Sequence, residues 1–175
     1  SNFKPLTRSL KKDSLRNIKK KEKLNPTEKL FKLEEEILRI LINYGNDTFI
    51  IEKKTESVAS FILAELNADN IVFTHTSFNE IYLEIINVIN EKGIIDLQYF
   101  INHPNQETSK ISIDLISNKH SISENWVNIY KIYTGREDEK IRKTTEKAIL
   151  SLKKGHVDKQ ISDLQKKIKD DNIDV

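Results

Sequence analysis

Histidine and cysteine are the residue types most often used for metal binding and nucleophilic chemistry. The chain has four histidines, at His75, His103, His120 and His156. They are separated by 28, 17 and 36 residues, whereas a zinc site usually takes two ligands from positions only a few residues apart. The chain has no cysteine, which excludes a thiolate zinc site, an iron–sulfur cluster, a disulfide scaffold and a cysteine nucleophile. We therefore predict no metal site.

The acidic residues form two short clusters. Glu34, Glu35 and Glu36 are consecutive, and consecutive positions on a helix point in different directions. We interpret them as a solvated helix face rather than a metal site, and we do not assign calcium to the aspartates at 170, 171 and 174. The sequence also contains no glycine-rich phosphate loop and no nucleophile elbow. These patterns predict no catalytic residue and no cofactor, and therefore a domain that is not an enzyme.

The composition indicates which elements carry these residues. The 175 residues include only four glycines and three prolines, which argues against sandwiches and barrels and favours long helices, so we predict an all-α fold. No stretch approaches the roughly 20 apolar residues that cross a bilayer, and no apolar signal segment follows the basic N-terminus. We expect a cytoplasmic protein without a membrane partner. Because the chain opens on Ser1 rather than methionine, we also expect a fragment of a longer protein.

Charge divides the chain into an acidic centre and two basic ends. Residues 1–24 hold nine basic and two acidic side chains, residues 25–135 hold nine and sixteen, and residues 136–169 hold eleven and six. We predict that residues 1–24 are a basic linker or arm. The ends can attract phosphate by unspecific Coulomb interaction, but they have too few aromatic residues for base stacking. Nucleic acid binding is therefore expected to be weak and unspecific at most.

Residues 25–135 are predicted to form a bundle of about five helices. Asn25 and Glu28 form a capping box around Pro26, and Gly45 supplies a left-handed residue that ends the first helix. A second helix is predicted from Thr55 to Leu66. A third runs from a cap at Thr76 or Ser77 to Gly93, and Asp96 caps a short fourth helix. Residues 105–117 fit a strand or a helix, and we assign a helix because no neighbouring strand is evident. Trp126 is expected to close the core.

A long helix is predicted over residues 136–169, within a third segment that spans residues 136–175. Ile141, Thr145, Ala148 and Leu152 form one apolar stripe along it. A second stripe, which we call the distal stripe, consists of Val157, Ile161, Leu164 and Ile168. Five residues separate the two series, so at 100° per residue they face different directions. We expect the first stripe to pack on the bundle and a kink or soft joint near Gly155. The distal stripe then needs a partner outside the bundle.

Five stretches of the chain, in order, resemble the C-terminal region of DnaG-type bacterial DNA primases, especially those of Bacteroidetes-like bacteria. They read EEILRILINYGN at 35–46, SVASFILAEL at 57–66, IDLQYFINH at 95–103, ISIDLISNKHSISENW at 111–126 and AILSLKKGHVDKQISDLQKKI at 148–168. The resemblance spans residues 25–169. Each stretch consists mainly of packing residues, so it is their number and order that carry the resemblance.

The resemblance implies a helicase-interacting domain of the primosome: a helical bundle, a long helix projecting as an arm, and a helical hairpin that docks on the N-terminal domain of the hexameric replicative DNA helicase. The parent protein would be a primase, a nucleotidyltransferase that makes RNA primers. This chain departs from the pattern by ending before the second helix of the hairpin. We predict that the partner-binding residues are Val157, Lys159, Ile161, Leu164, Lys166, Lys167 and Ile168.

Two other roles stay open for the same segment, and one other function stays open for the protein. The distal stripe can pack on a further helix of the parent protein instead of contacting the helicase directly. It can also pair with a second copy of itself, which would make the protein a homodimerising structural module through residues 157–168. A nucleic-acid hydrolase built from scattered carboxylates is the enzymatic alternative, and it predicts metal-dependent turnover.

Overall fold

The computed structural model describes residues 25–117 and 137–171 of the chain. In these ranges the protein has six helices and one two-stranded sheet, which confirms the all-α prediction. The elements are α1 (Pro26–Tyr44), β1 (Thr48–Ile51), β2 (Lys54–Ser57), α2 (Val58–Ala68), α3 (Thr76–Lys92), α4 (Leu97–Ile101), α5 (Gln106–Ser117) and α6 (Glu137–Asp171). The predicted linker at 1–24 and the predicted core role of Trp126 fall outside the described residues.

Helix α1 begins with the predicted capping box. The Asn25 side chain accepts a hydrogen bond from the Glu28 amide at 2.8 Å, and the Glu28 carboxylate accepts one from the Asn25 amide at 3.1 Å. The prediction for Gly45 is wrong, because its φ of −57° and ψ of −30° are right-handed. A glycine is needed at position 45 because there is no room for a side chain: a Cβ added there would lie 2.5 Å from Ile95 Cδ1.

A β-hairpin replaces the predicted start of the second helix. Residues 54–57 form β2 and pair antiparallel with β1, so the helix predicted from residue 55 begins only after Ser57. Ser57 then caps α2 by accepting a hydrogen bond from the Ser60 amide at 3.0 Å. The two turn residues, Glu52 and Lys53, have φ values of 48° and 71°. Such turns normally use Asn-Gly or Asp-Gly, so the sequence carries no clear hairpin signal.

The next three helices agree with the sequence. Gly93 ends α3 in the left-handed conformation with φ 72°. Asp96 caps α4 by accepting a hydrogen bond from the Gln98 amide at 2.9 Å. The ambiguous segment at 105–117 is helical over α5, because its apolar residues pack on the other helices and the described strands pair only with each other.

The core lies between α1 and the helices that surround it. Helix α1 is buried over much of its length, and α3, α5 and α6 all pack against it. From α6 the core receives Thr145, Ala148, Ile149 and Leu152, with Ile141 partly buried beside them. The prediction that the first stripe packs on the bundle is therefore confirmed, with Ile149 as an additional buried residue.

Helices α1 and α6 run antiparallel at close range. Lys29 of α1 pairs with Asp158 of α6 at 2.7 Å. One turn further along α1, Leu33 faces Gly155 of α6. A Cβ added to Gly155 would lie 2.7 Å from Leu33 Cδ1 and 3.2 Å from Leu30 Cδ1. Helix α6 continues without interruption through this glycine, so the predicted joint is not a break in the helix. The glycine instead allows the two helices to approach closely.

Candidate docking surface

The distal stripe is exposed along the second half of α6. Its four side chains, Val157, Ile161, Leu164 and Ile168, are between 48% and 60% exposed. Spacings of four, three and four residues keep them on one face of the helix. Large apolar side chains that stay in water on one continuous face are typical of a surface that binds another helix or protein.

This face points away from the bundle. At 100° per residue, the centre of the distal stripe lies roughly 160° around the helix axis from the face that holds Thr145, Leu152 and Gly155. Those three residues are buried against the bundle. Helix α6 therefore has two apolar faces on nearly opposite sides: one completes the core, and the other faces solvent.

The exposed face begins earlier than the sequence analysis predicted. Leu150 is 66% exposed and lies seven residues, close to two helical turns, before Val157. We call Leu150 together with the distal stripe the seam. The sequence analysis missed Leu150 because it assigned residues 141–152 to the bundle-facing stripe as one unit. The heptad step from 150 to 157 was the signal that could have revealed it.

Only some of the predicted lysines flank the seam. Lys167 lies about 90° from its centre, whereas Lys159 and Lys166 lie on the far side of the helix at 100° per residue. Lys159 also pairs with Asp163 at 3.1 Å. Lys154, which the sequence analysis did not assign, lies between Leu150 and Val157 and is exposed. The seam therefore carries one positive charge within it and one at its edge.

Ion pairs attach the middle of α6 to the bundle. Lys153 contacts both Glu65 and Asp69 at 2.8 Å, and the hydrogen bonds with Asp69 and Glu65 raise the pKa of Lys153. On the other side of the helix, the hydrogen bond from Lys29 lowers the pKa of Asp158. Lys153 and Asp158 of α6 are therefore both paired with charged residues of the bundle.

The glutamate run does not form one solvated face. Glu34 is 0% exposed, and its carboxylate accepts hydrogen bonds from the Thr74 amide at 2.6 Å, the Thr74 hydroxyl at 2.8 Å and the His75 amide at 3.2 Å. It thereby binds the amides of the two residues that precede α3, where His75 is the N-cap and makes no side-chain capping bond. The predicted cap at Thr76 or Ser77 is wrong, because both residues lie inside α3 and the N-cap is His75. The Glu34 carboxylate from α1 fixes the backbone just before the helix instead.

Two histidines lie close to this carboxylate. Burial lowers the pKa of His156, Lys159 lowers it further, and the charge of Glu34 opposes the shift. Both His75 Nδ1 and His156 Nε2 are buried without a hydrogen-bond partner in the described structure. Among residues 25–117 and 137–171, no group of three or more histidine, aspartate or glutamate side chains has a geometry suited to a metal ion. The hydrogen bonds that Glu34 accepts from Thr74 and His75 join α1 to the start of α3, so we interpret Glu34 as a structural residue.

Residues 19–174 match the model of a protein family described as a domain of unknown function, DUF8430. The chain belongs to the DUF8430 family. The match includes the bundle, α6 and the whole seam, so this DUF8430 domain is one unit that carries both faces of the long helix. No match to the chain is found among curated proteins or among solved structures.

A groove of about 510 Å³ between α2 and α3 is lined mainly by apolar residues and asparagines, with Tyr82 as its one titratable side chain. In the part of the chain that the structure describes, no helix is both long enough and apolar enough to span a bilayer.

Proposed function

We propose that this DUF8430 domain is a non-catalytic C-terminal domain of a DnaG-type bacterial DNA primase, and that it docks on the N-terminal domain of the replicative DNA helicase. Docking would couple RNA primer synthesis to the replication fork in the cytoplasm. The primase assignment is supported by the five ordered stretches between residues 25 and 169 that resemble this region of primases. The domain would supply the contact, and the polymerase chemistry would belong to other parts of the parent protein.

One observation carries the docking role: an exposed apolar seam on a helix whose opposite face is held by the bundle. Stable helix–helix recognition needs a row of apolar anchors that a partner can desolvate. The seam supplies such a row at helical spacing. Its residues are not needed to fill the core of the described structure, because they lie outside it.

The test measures binding of the domain to the purified cognate helicase by calorimetry. Replacing both Ile161→Asp and Leu164→Asp puts two carboxylates in the centre of the seam, and we expect affinity to fall by more than about tenfold. A control variant with Leu83→Asp and Ile113→Asp changes two exposed apolar residues on α3 and α5, and it should bind like the wild type.

Two results would count against this proposal in different ways. Undiminished binding by the seam variant would show that the helicase contacts another surface. Absence of any binding by the wild-type domain would remove the helicase assignment itself. The altered residues lie outside the core, so each variant should keep its helices. Circular dichroism checks this, so that a loss of binding is not mistaken for a loss of fold.

A further inference from the structure

The charges on the exposed part of α6 are one-sided. Lys153, Asp158, Lys159 and Asp163 all have ionic partners in the chain. Four lysines form no ion pair with the described residues: Lys154, Lys166, Lys167 and Lys169. The charge of Lys154 helps to lower the pKa of Asp158, four residues later, but the Asp158 carboxylate is bonded to Lys29. Among the acidic residues on this part of α6 whose side chains are described, Asp170 is the one that forms no ion pair. It lies about 150° from the centre of the seam at 100° per residue. Of the four lysines, Lys154 lies in the seam and Lys167 at its edge, whereas Lys166 lies on the far side of the helix. The seam and its edge therefore present net positive charge.

The position of Lys154 is the most specific feature of this surface. Leu150, Val157 and Leu164 occupy one core position of a heptad, and Ile161 and Ile168 occupy the other. Lys154 falls on the second position, seven residues before Ile161, so it lies in the row of anchors rather than beside it. A partner that covers the seam must desolvate this ammonium group, which is costly unless a carboxylate faces it.

A second copy of the chain is a poorer occupant. In a parallel pair, Lys154 would face Lys154 of the other copy at a core position. Like charges that meet across a helix pair destabilise it. In an antiparallel pair in which Val157 faces Ile161 of the other copy, Lys154 would face Leu164, so its charge would be covered by an apolar side chain without a carboxylate. In any pair of copies, two positively charged seams would also be brought together.

We propose that the seam binds one amphipathic helix with acidic flanking positions, and that Lys154 selects this helix by pairing with one of its carboxylates. This inference rests on the docking role proposed above and specifies the chemistry of the segment that docks. The apolar anchors provide affinity, and the lysine provides discrimination, because a neutral or basic helix leaves its charge buried and unpaired.

Two synthetic peptides of about four heptads each test this chemistry directly. Both carry leucine at the core positions; one has glutamate and the other lysine at the flanking positions. Fluorescence anisotropy with the whole 175-residue chain should show the acidic peptide binding at least about tenfold more tightly, a difference of about 1.4 kcal/mol. Lys154→Glu should abolish that preference. Lys110→Glu makes the same charge change on exposed α5 and should leave it intact.

Three results would overturn the inference: equal affinity for the two peptides, a preference that survives Lys154→Glu, or no binding of either peptide. A wild-type mass by light scattering that doubles with concentration, together with loss of peptide binding, would also overturn it and would identify a second copy as the occupant. Lys154→Met supplies a further check: it keeps an unbranched apolar side chain and removes the ammonium group, so it should weaken the preference for the acidic peptide.

Competition with the helicase separates this inference from the proposed function. If the acidic peptide binds but the helicase does not, the inference stands and the primase assignment falls. If the helicase binds but neither peptide does, and Lys154→Glu has no effect on helicase binding, the inference falls and the docking function stands. If the helicase displaces the acidic peptide from the seam, both are supported.

Discussion

Glu34 is a single residue on which two elements depend. Its buried carboxylate sits on α1 and accepts three hydrogen bonds from Thr74 and His75, at the start of α3. Replacing it removes the acceptor and leaves two backbone amides without their partner. We expect Glu34→Ala to lower the free energy of unfolding by about 2 to 3 kcal/mol, measured by urea denaturation.

The neighbouring glutamate provides a matched control. Glu35 is partly exposed and forms an ion pair with Lys32, three residues away on the same helix; its charge also opposes the lowering of the Arg39 pKa by burial. Surface pairs of this kind contribute little. Glu35→Ala should therefore change stability by less than about 0.5 kcal/mol. Equal losses for the two variants would contradict the structural role assigned to Glu34.

We expect His156 to make the stability of the domain depend on pH. Burial lowers its pKa in the folded protein, so the unfolded chain binds a proton more readily, with an ordinary pKa of about 6.5. Protonation then favours unfolding, and stability should fall as the pH drops below about 6.5, until it passes the folded pKa. Urea unfolding of the wild type and of His156→Gln between about pH 5 and 8 should show this difference.

A second histidine variant checks the assignment. His103 is on another part of the surface, near α4 and α5. His103→Gln should keep the pH dependence of the wild type. If His156→Gln keeps it as well, another group is responsible.

At the scale of elements, Gly155 sets the distance between α1 and α6. A glycine inside a helix is usually improved by a larger residue, but here an added side chain meets Leu30 and Leu33. We expect Gly155→Leu to destabilise the domain by about 2 kcal/mol or more, because the helices must separate. Gln160→Leu, at an exposed position of the same helix, should have little effect. Thermal melting of both variants measures the contrast.

The helices could be predicted wherever local chemistry determines them. The capping box at Asn25, the left-handed Gly93 and the Asp96 cap all act within a few residues, and they mark the ends of α1, α3 and α4 correctly. The hairpin could not be predicted, because its Glu52–Lys53 turn lacks the usual residues and residues 54–57 are extended through pairing with β1.

The candidate surface was only partly predictable for a related reason. The phase change between the two stripes is a property of one helix, so the outward direction of Val157 and Ile161 follows from spacing alone. The burial of Glu34 and the close contact at Gly155 depend on residues far away in the chain, Thr74 and Leu33 respectively. A pattern read along one helix does not contain such contacts.

At the scale of the whole molecule, the bundle should fold without the end of α6. The residues from Leu164 to Asp170 are all exposed. A chain that ends at Asp163 should therefore keep its stability to within about 0.5 kcal/mol, while its binding to the helicase is lost. A chain that ends at Leu150 also lacks the buried Leu152 and the Gly155 contact, and it should lose more than about 2 kcal/mol. Urea denaturation distinguishes the two truncations.

The uninterrupted course of α6 has a geometric consequence for anything bound to its seam. A helix of 35 residues is about 52 Å long at 1.5 Å per residue, and α1 grips it on the side away from Ile161. A helix bound to the seam would lie about 8 to 10 Å from the axis of α6. It could not rotate around the bundle, as a molecule attached through a flexible linker could. The long helix therefore fixes both the distance and the direction at which a docked molecule lies relative to the bundle.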